Sequence, residues 1–209
     1  MPAARLHLVR HGEVDNPRRV LYGRLPGYVL SDGGHRMAAA AALHVKNVGR
    51  PVTALVCSPL ERTRQSAEPF TKLFGLEPTV DERVIEPVNV FEGRRMQQAL
   101  ANPLNWRHLV RPSLPSWGEP YVSIVKRMRE AIDSAWDAAP DGDVVIVSHQ
   151  APIWLTHLSV AGEPLRHDPR DRRCALSSVT SFERQKGGWV EVEYAEPVAT
   201  TGAVDVGAV

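Results

Sequence analysis

Apolar residues gather along this chain in short runs that alternate with longer stretches of helical spacing. The first run, Leu6 to Val9, is broken only by His7, lies in a segment over 5–9, and delivers Arg10-His11-Gly12-Glu13. A run this short, closed by a glycine that can turn sharply, predicts a buried strand. Ser31-Asp32 then precedes Gly33-Gly34 and an alanine-rich stretch to about Val48, which predicts a helix capped by Ser31 or Asp32. Thr53 to Cys57 repeats the strand pattern and is closed by Ser58-Pro59. Leu60 to Phe74 reads as a helix kinked or interrupted near Pro69, and Thr79 to Ile85 as a third strand. Tyr121 to Ala138 sets Ile124, Val125, Met128 and Ile132 on one helical face. Asp143 to Val147 is the clearest buried strand and runs into Ser148-His149-Gln150. A helix over 151–160 follows, with Pro152 tolerated in its first turn, and residues 175–182 and 189–194 alternate as a hairpin.

Strands alternating with helices predict an α/β fold: a three-layer αβα arrangement around a mainly parallel central sheet. The pattern fits a single domain over 1–196. Residues 94–120 are the exception. Pro103, Pro112, Pro115 and Pro120 break this segment and Trp106 and Trp117 sit in it, which suits a lid-like insertion or a packed surface excursion. After Glu196 the residues are mostly small, and 197–209 is expected to be a disordered tail.

Composition removes several classes of function. With 209 residues, 43% of them hydrophobic, the chain is long enough for one well-buried core. A net charge of +1 offers no global field for nucleic acid or an anionic membrane. No apolar stretch is long enough to span a bilayer, and the first residues lack the apolar core of a secretion signal. Cys57 and Cys174 are too few for a disulfide framework or a zinc site and read as reduced thiols of a cytoplasmic protein.

The candidate chemistry lies where the predicted strands end. Arg10 and His11 close the first strand, Arg62 follows the second one turn into its helix, and His149 closes the late strand. Parallel strands point their carboxyl ends the same way, toward the edge where open α/β sheets bind ligands. Two arginines and two histidines converging there suit a tetrahedral dianion, because guanidinium forks match phosphate oxygens. The backbone amides that open the helix after His149 add to such a site.

Other residues invite weaker readings. His7 and His11 have helical metal-ligand spacing but lie across a strand and its end. His157 and His167 read as core-edge or surface residues. Arg170, Arg172 and Arg173, mixed with Asp168 and Asp171, read as a solvated loop. Cys57 raises a cysteine phosphatase as a rival, a chemistry that brackets five residues between Cys and Arg in an amide-rich loop. Here Arg62 falls one residue too early, Arg64 one too late, and Pro59 removes an amide.

Taken together, Arg10-His11-Gly12-Glu13, Ser58-Pro59-Leu60-Glu61-Arg62-Thr63 and Val147-Ser148-His149 resemble the histidine phosphatase superfamily, and within it the phosphoglycerate mutase-like branch. The resemblance runs from about Leu6 to Tyr194. It implies a phosphoglycerate mutase-like fold and two-step phosphoryl transfer through a phosphohistidine at His11. Arg10, Arg62 and His149 would hold the phosphoryl oxygens, Asn16 and Gln150 would add polar contacts, and Gly23 would lie near the substrate. One carboxylic acid would protonate the leaving group and later activate water. Glu82, Glu86 and Glu92 are candidates, and the family's pattern, an acid after the third strand and ahead of a Glu-Gly pair, selects Glu86 with Glu92-Gly93 behind it. Pro87, Asn89 and a gap shorter by one depart from that pattern.

The expected activity is therefore metal-independent phosphomonoester hydrolysis on a small phosphorylated substrate. No metal or other cofactor and no nucleic-acid or membrane partner is implied; a homodimer is compatible with the resemblance. The shorter chain favours a phosphatase over a phosphoglycerate mutase, and a phosphate-binding relative with weak turnover is the third reading.

Overall fold

The computed structural model describes residues 4–108, 118–139, 141–199, 203 and 205. Its sheet is built from β1 (Arg5–Arg10), β2 (Val52–Cys57), β3 (Thr79–Val80), β4 (Asp143–Ser148), β5 (Val179–Gln185) and β6 (Gly188–Ala195). The helices are α1 (Asp32–Asn47), α2 (Glu61–Phe74), α3 (Met96–Ala101), α4 (Tyr121–Ala138) and α5 (Gln150–Ala161). The six strands run in the order β3-β2-β4-β1-β5-β6. The first four are parallel, and β5 and β6 form the antiparallel edge. This is the α/β architecture that the alternation of strand and helix predicts.

Strand periodicity explains the layering, since successive side chains face opposite sides of a sheet. Leu6, Leu8, Val144, Ile146 and Phe182 face one layer, where they meet Ile124, Met128 and Ile132 of α4 and Ile153 and Leu155 of α5. Val9, Val145, Val147, Leu55 and Val179 face the other, against Ala41, Ala42 and Val45 of α1 and Ala67 and Phe70 of α2. Both faces are covered, so the central strands β1 and β4 read as nearly continuous apolar runs rather than alternating ones. The polar exception, His7, is sealed in the sheet with Ser181 at 2.9 Å and Asp143 at 3.5 Å. Both of its ring nitrogens are engaged by these two partners.

Local chemistry sets the helix boundaries. Ser31 caps α1 by accepting from the Gly34 amide at 2.9 Å, while its own hydroxyl donates to Glu13 at 2.6 Å. Such a cap stabilises a helix by about 1 kcal/mol. It also brings α1 against the end of β1: a methyl group on Gly12 would meet the Gly34 carbonyl oxygen at 2.4 Å, and one on Gly34 would meet the Glu13 carbonyl oxygen at 2.0 Å. Only glycine permits two backbones to approach so closely.

Three expectations change in detail. The third strand stops at Val80, because the Asp81 side chain accepts from the Arg83 amide and turns Glu82–Val84 into a single 3-10 turn. Helix α2 continues through Pro69, which withdraws one N–H without ending the helix. The hairpin begins at Val179 rather than residue 175, because Ser177 adopts a left-handed conformation (φ 55°) and its amide bonds to the His11 carbonyl.

Within 94–120, α3 and a 3-10 segment Pro103–His108 are described, and residues 109–117, including Trp117, lie outside the described residues. Trp106 is exposed and donates to the Leu100 carbonyl of its own segment at 2.8 Å. Most of the expected disordered tail, 197–209, also lies outside the described residues; Asp205 is described and is taken up below.

Candidate active site

The carboxyl ends of β1, β2 and β4 bring Arg10, His11, Ser58, Arg62 and His149 together, all of them buried. Arg62 is the second residue of α2, so it emerges at the very start of that helix rather than one turn in. His149 caps α5 at the end of β4. The imidazoles of His11 and His149 stand edge to face, with centroids 5.2 Å apart.

His11 Nδ1 lies 2.8 Å from the carbonyl oxygen of Gly12. A carbonyl only accepts, so Nδ1 carries the proton and Nε2 keeps its lone pair. Burial, reinforced by Arg62 and Arg10, pushes the His11 pKa well below the usual histidine range. The ring is therefore neutral at physiological pH, the state a nucleophilic imidazole requires.

Arg62 joins several parts of the site. Its Nη2 donates to the Gly23 carbonyl at 2.8 Å and to His149 Nδ1 at 3.2 Å. Its guanidinium carbon lies 4.8 Å from the centre of the Tyr22 ring, and Tyr22 in turn stacks on Tyr28. His149 Nε2 completes the chain with Ser58 Oγ at 2.8 Å. Because Arg62 donates to Nδ1, Nε2 carries the proton and donates to Ser58. Burial first, then Arg62, holds the His149 pKa well below its ordinary value, so this ring too is neutral.

Of the three candidate acids, Glu86 stands beside His149. Its carboxyl is 2% exposed and stands 3.7 Å from His149 Nδ1. Neither oxygen accepts a hydrogen bond among the described residues. Burial raises its pKa, opposed by Arg62, Arg172, Arg10 and Arg127. Distant side chains fix the segment through its backbone: Arg127 donates to the Arg83 carbonyl at 2.5 Å, Ser148 to that of Val84 at 2.7 Å, and Arg24 to that of Glu86 at 2.5 Å. Glu92 accepts from the Arg24 and Asn89 amides and lies within electrostatic range of Arg62, and Glu82 is exposed.

The remaining candidates differ in placement. Gly23 lies at the site through its carbonyl, bonded to Arg62. Asn16 is buried, but its amide oxygen and nitrogen both bond the backbone of Val20, so it staples the 16–20 loop. Gln150 approaches the Cys174 carbonyl at a long 3.5 Å. That carbonyl also accepts from Arg10 Nη1 at 2.7 Å, which places the loop around Cys174 on the wall of the site. Cys57 is fully buried and burial lifts its thiol to about 11, a state unsuited to nucleophilic attack.

Two residues escaped the sequence reading. Arg172 is only 9% exposed, although Arg170 beside it is solvated. It donates to His167 Nε2 at 2.9 Å, its Nη1 has no partner among the described residues, and it lies within ionic range of Glu86. A basic run carries no local sign of which arginine turns inward. The second residue is Asp205, whose carboxylate meets Arg10.

A profile of the histidine phosphatase superfamily (branch 1) matches residues 6–197. The protein Rv0525 of Mycobacterium tuberculosis, described as uncharacterized, is 45% identical over 197 residues, covering 93% of this chain and 96% of that one. A probable phosphoglycerate mutase, GpmB, of Escherichia fergusonii is 30% identical over 196 residues, covering 88% of this chain and 89% of that one. Among solved structures, the mycobacterial glucosyl-3-phosphoglycerate phosphatase Rv2419c superposes with a TM-score of 0.76 at 24% identity, covering 91% of this chain and 97% of that one. A phosphoserine phosphatase of Entamoeba histolytica superposes with a TM-score of 0.74 at 20% identity, covering 91% and 95%.

Proposed function

Since the chain belongs to the histidine phosphatase superfamily (branch 1), we propose that it hydrolyses small phosphomonoesters through a phosphohistidine at His11. The observation that carries this reading is the His11 imidazole, neutral and oriented by the Gly12 carbonyl, set among buried Arg10, Arg62 and His149. Nε2 attacks phosphorus and the bond to the ester oxygen breaks. Glu86, biased toward its protonated form, gives its proton to the departing alkoxide. Water then attacks the phosphohistidine, Glu86 takes the water's proton, and inorganic phosphate leaves neutral His11 behind. Arg10 and Arg62 stabilise charge on the equatorial oxygens, a type of contact worth about 3 kcal/mol when it strengthens in the transition state. His149 keeps Arg62 in place and turns its Nε2–H hydrogen bond from Ser58 to a phosphoryl oxygen.

Phosphoglycerate mutase chemistry is the second reading, favoured by the similarity to GpmB. That relative is nearly covered end to end, so chain length does not separate the two activities. The deciding experiment is hydrolysis of p-nitrophenyl phosphate in EDTA by the full chain and by His11→Ala. The expected result is turnover, vanadate inhibition and an acid-labile phosphoenzyme, all lost in the variant. Phosphoglycerate and phosphoserine, suggested by the relatives' names, are the natural esters to assay next. Isomerisation of 3-phosphoglycerate that outpaces its hydrolysis, in the presence of the bisphosphate, would overturn the phosphatase reading for the mutase one. Turnover that survives His11→Ala would overturn both.

A further inference from the structure

Arg10 is 0% exposed, yet its guanidinium is not waiting empty. Nη1 donates to Asp205 Oδ2 at 2.7 Å and Nη2 to Asp205 Oδ1 at 2.5 Å. This is the parallel two-pronged geometry with which arginine grips a carboxylate or a phosphate. Asp205 reaches in from outside, being 35% exposed. From Pro197 to Val209 it is the sole charged side chain, in a stretch otherwise made of small, apolar and hydroxyl residues. The ten residues from the end of β6 to Asp205 can span roughly 33 Å when extended, ample for the approach.

The cluster has an electrostatic reason to accept such a group. Buried Arg10, Arg62 and Arg172 surround the site, and burial raises the pKa of the Glu86 carboxyl among them. Buried guanidinium groups without a counter-ion are strongly disfavoured. A phosphoryl dianion on His11 would satisfy them, and it needs the same two Arg10 donors that Asp205 holds.

We propose that Asp205 is a self-competitor: its carboxylate occupies the Arg10 phosphate seat, so that a phosphorylated ligand must displace that carboxylate in order to bind. The proposal rests on reading this cluster as a phosphate site. An intramolecular competitor lowers apparent affinity by the fraction of molecules it leaves open. It therefore raises KM and leaves kcat intact, because once displaced it touches neither nucleophile nor acid.

The test compares the full chain with Asp205→Asn and with a chain ending at Ala199. Inorganic phosphate binding is measured by calorimetry, and p-nitrophenyl phosphate kinetics are measured alongside. Both variants are expected to bind phosphate more tightly, by on the order of tenfold, and to lower KM by the same factor at unchanged kcat. Added peptide 199–209 should compete with phosphate for the shortened chain, and its Asp205→Asn counterpart should not. The proposal is overturned if neither variant binds phosphate more tightly. It is equally overturned if only the shortened chain does, since bulk rather than the carboxylate would then be responsible. If both variants bind phosphate more tightly but none hydrolyses an ester, the competitor stands and the phosphatase reading falls.

Discussion

The carboxyl of Glu86 stands 3.7 Å from Nδ1 of His149, with both side chains closed to solvent. Arg62 donates to that same nitrogen, so acid, imidazole and guanidinium form one coupled unit. On the proposed reading, a phosphoryl group entering beside His11 would meet a carboxyl already desolvated.

Glu86→Gln keeps the shape and removes the proton. Turnover of an alkyl phosphate should fall by about 10²–10⁴-fold, while phosphate affinity is retained. p-Nitrophenyl phosphate, whose leaving group needs little protonation, should lose less. Steady-state kinetics on the two esters, with equal losses on both, would remove Glu86 from the acid's role.

The same substitution should stabilise the protein at alkaline pH. Folding raises the Glu86 pKa, so the folded state binds more protons than the unfolded one between the two values. The Glu86 contribution to stability is thus full below its unfolded value of 4.5 and is lost as pH rises through the folded value. Urea unfolding should show Glu86→Gln gaining on the parent chain from acid toward pH 8, and no gain would contradict the desolvated carboxyl.

Arg62→Ala should release both imidazoles. Arg62 is the foremost charge lowering the pKa of His11 and of His149, so both should move up toward 6.5. NMR titration of the ring protons reads this directly. Turnover should fall by about 10²–10³-fold as a charge-stabilising donor is lost. Static imidazole titrations would show that Arg62 does not govern them.

Arg172 lowers the Glu86 pKa, and its removal lets that value climb further. In Arg172→Met the alkaline limb of kcat should therefore shift to higher pH. A merely structural role for Arg172 would reduce activity at every pH without moving the limb.

Much of this site was legible because its residues sit where a local pattern breaks. Arg10, His11 and His149 each follow an apolar strand, and a polar residue at a strand's carboxyl end stands out. Glu86 needed more: three carboxylates competed in sequence, and what separates them is the grip of Arg24, Arg127 and Ser148 on neighbouring carbonyls, made across distances no local pattern encodes. Arg172 was hidden for the same reason, since its burial comes from the packing of His167 and Tyr121 rather than from its own neighbours in the chain. Asn16, a phosphate contact on the resemblance, also bonds the Val20 backbone at both ends of its amide, a local use that the sequence alone does not reveal.

The anchoring of the acid by three separate carbonyl contacts has a kinetic corollary. Arg10, His11 and Arg62 are brought together by the sheet, because β4 lies between β1 and β2, whereas the Glu86 segment is seated only once Arg127 of α4 grips the Arg83 carbonyl. A refolding molecule that has assembled the sheet alone would capture phosphate and leave esters uncut. The return of ester cleavage after dilution from urea should then lag behind the return of phosphate binding, giving a clock for the docking of that last helix.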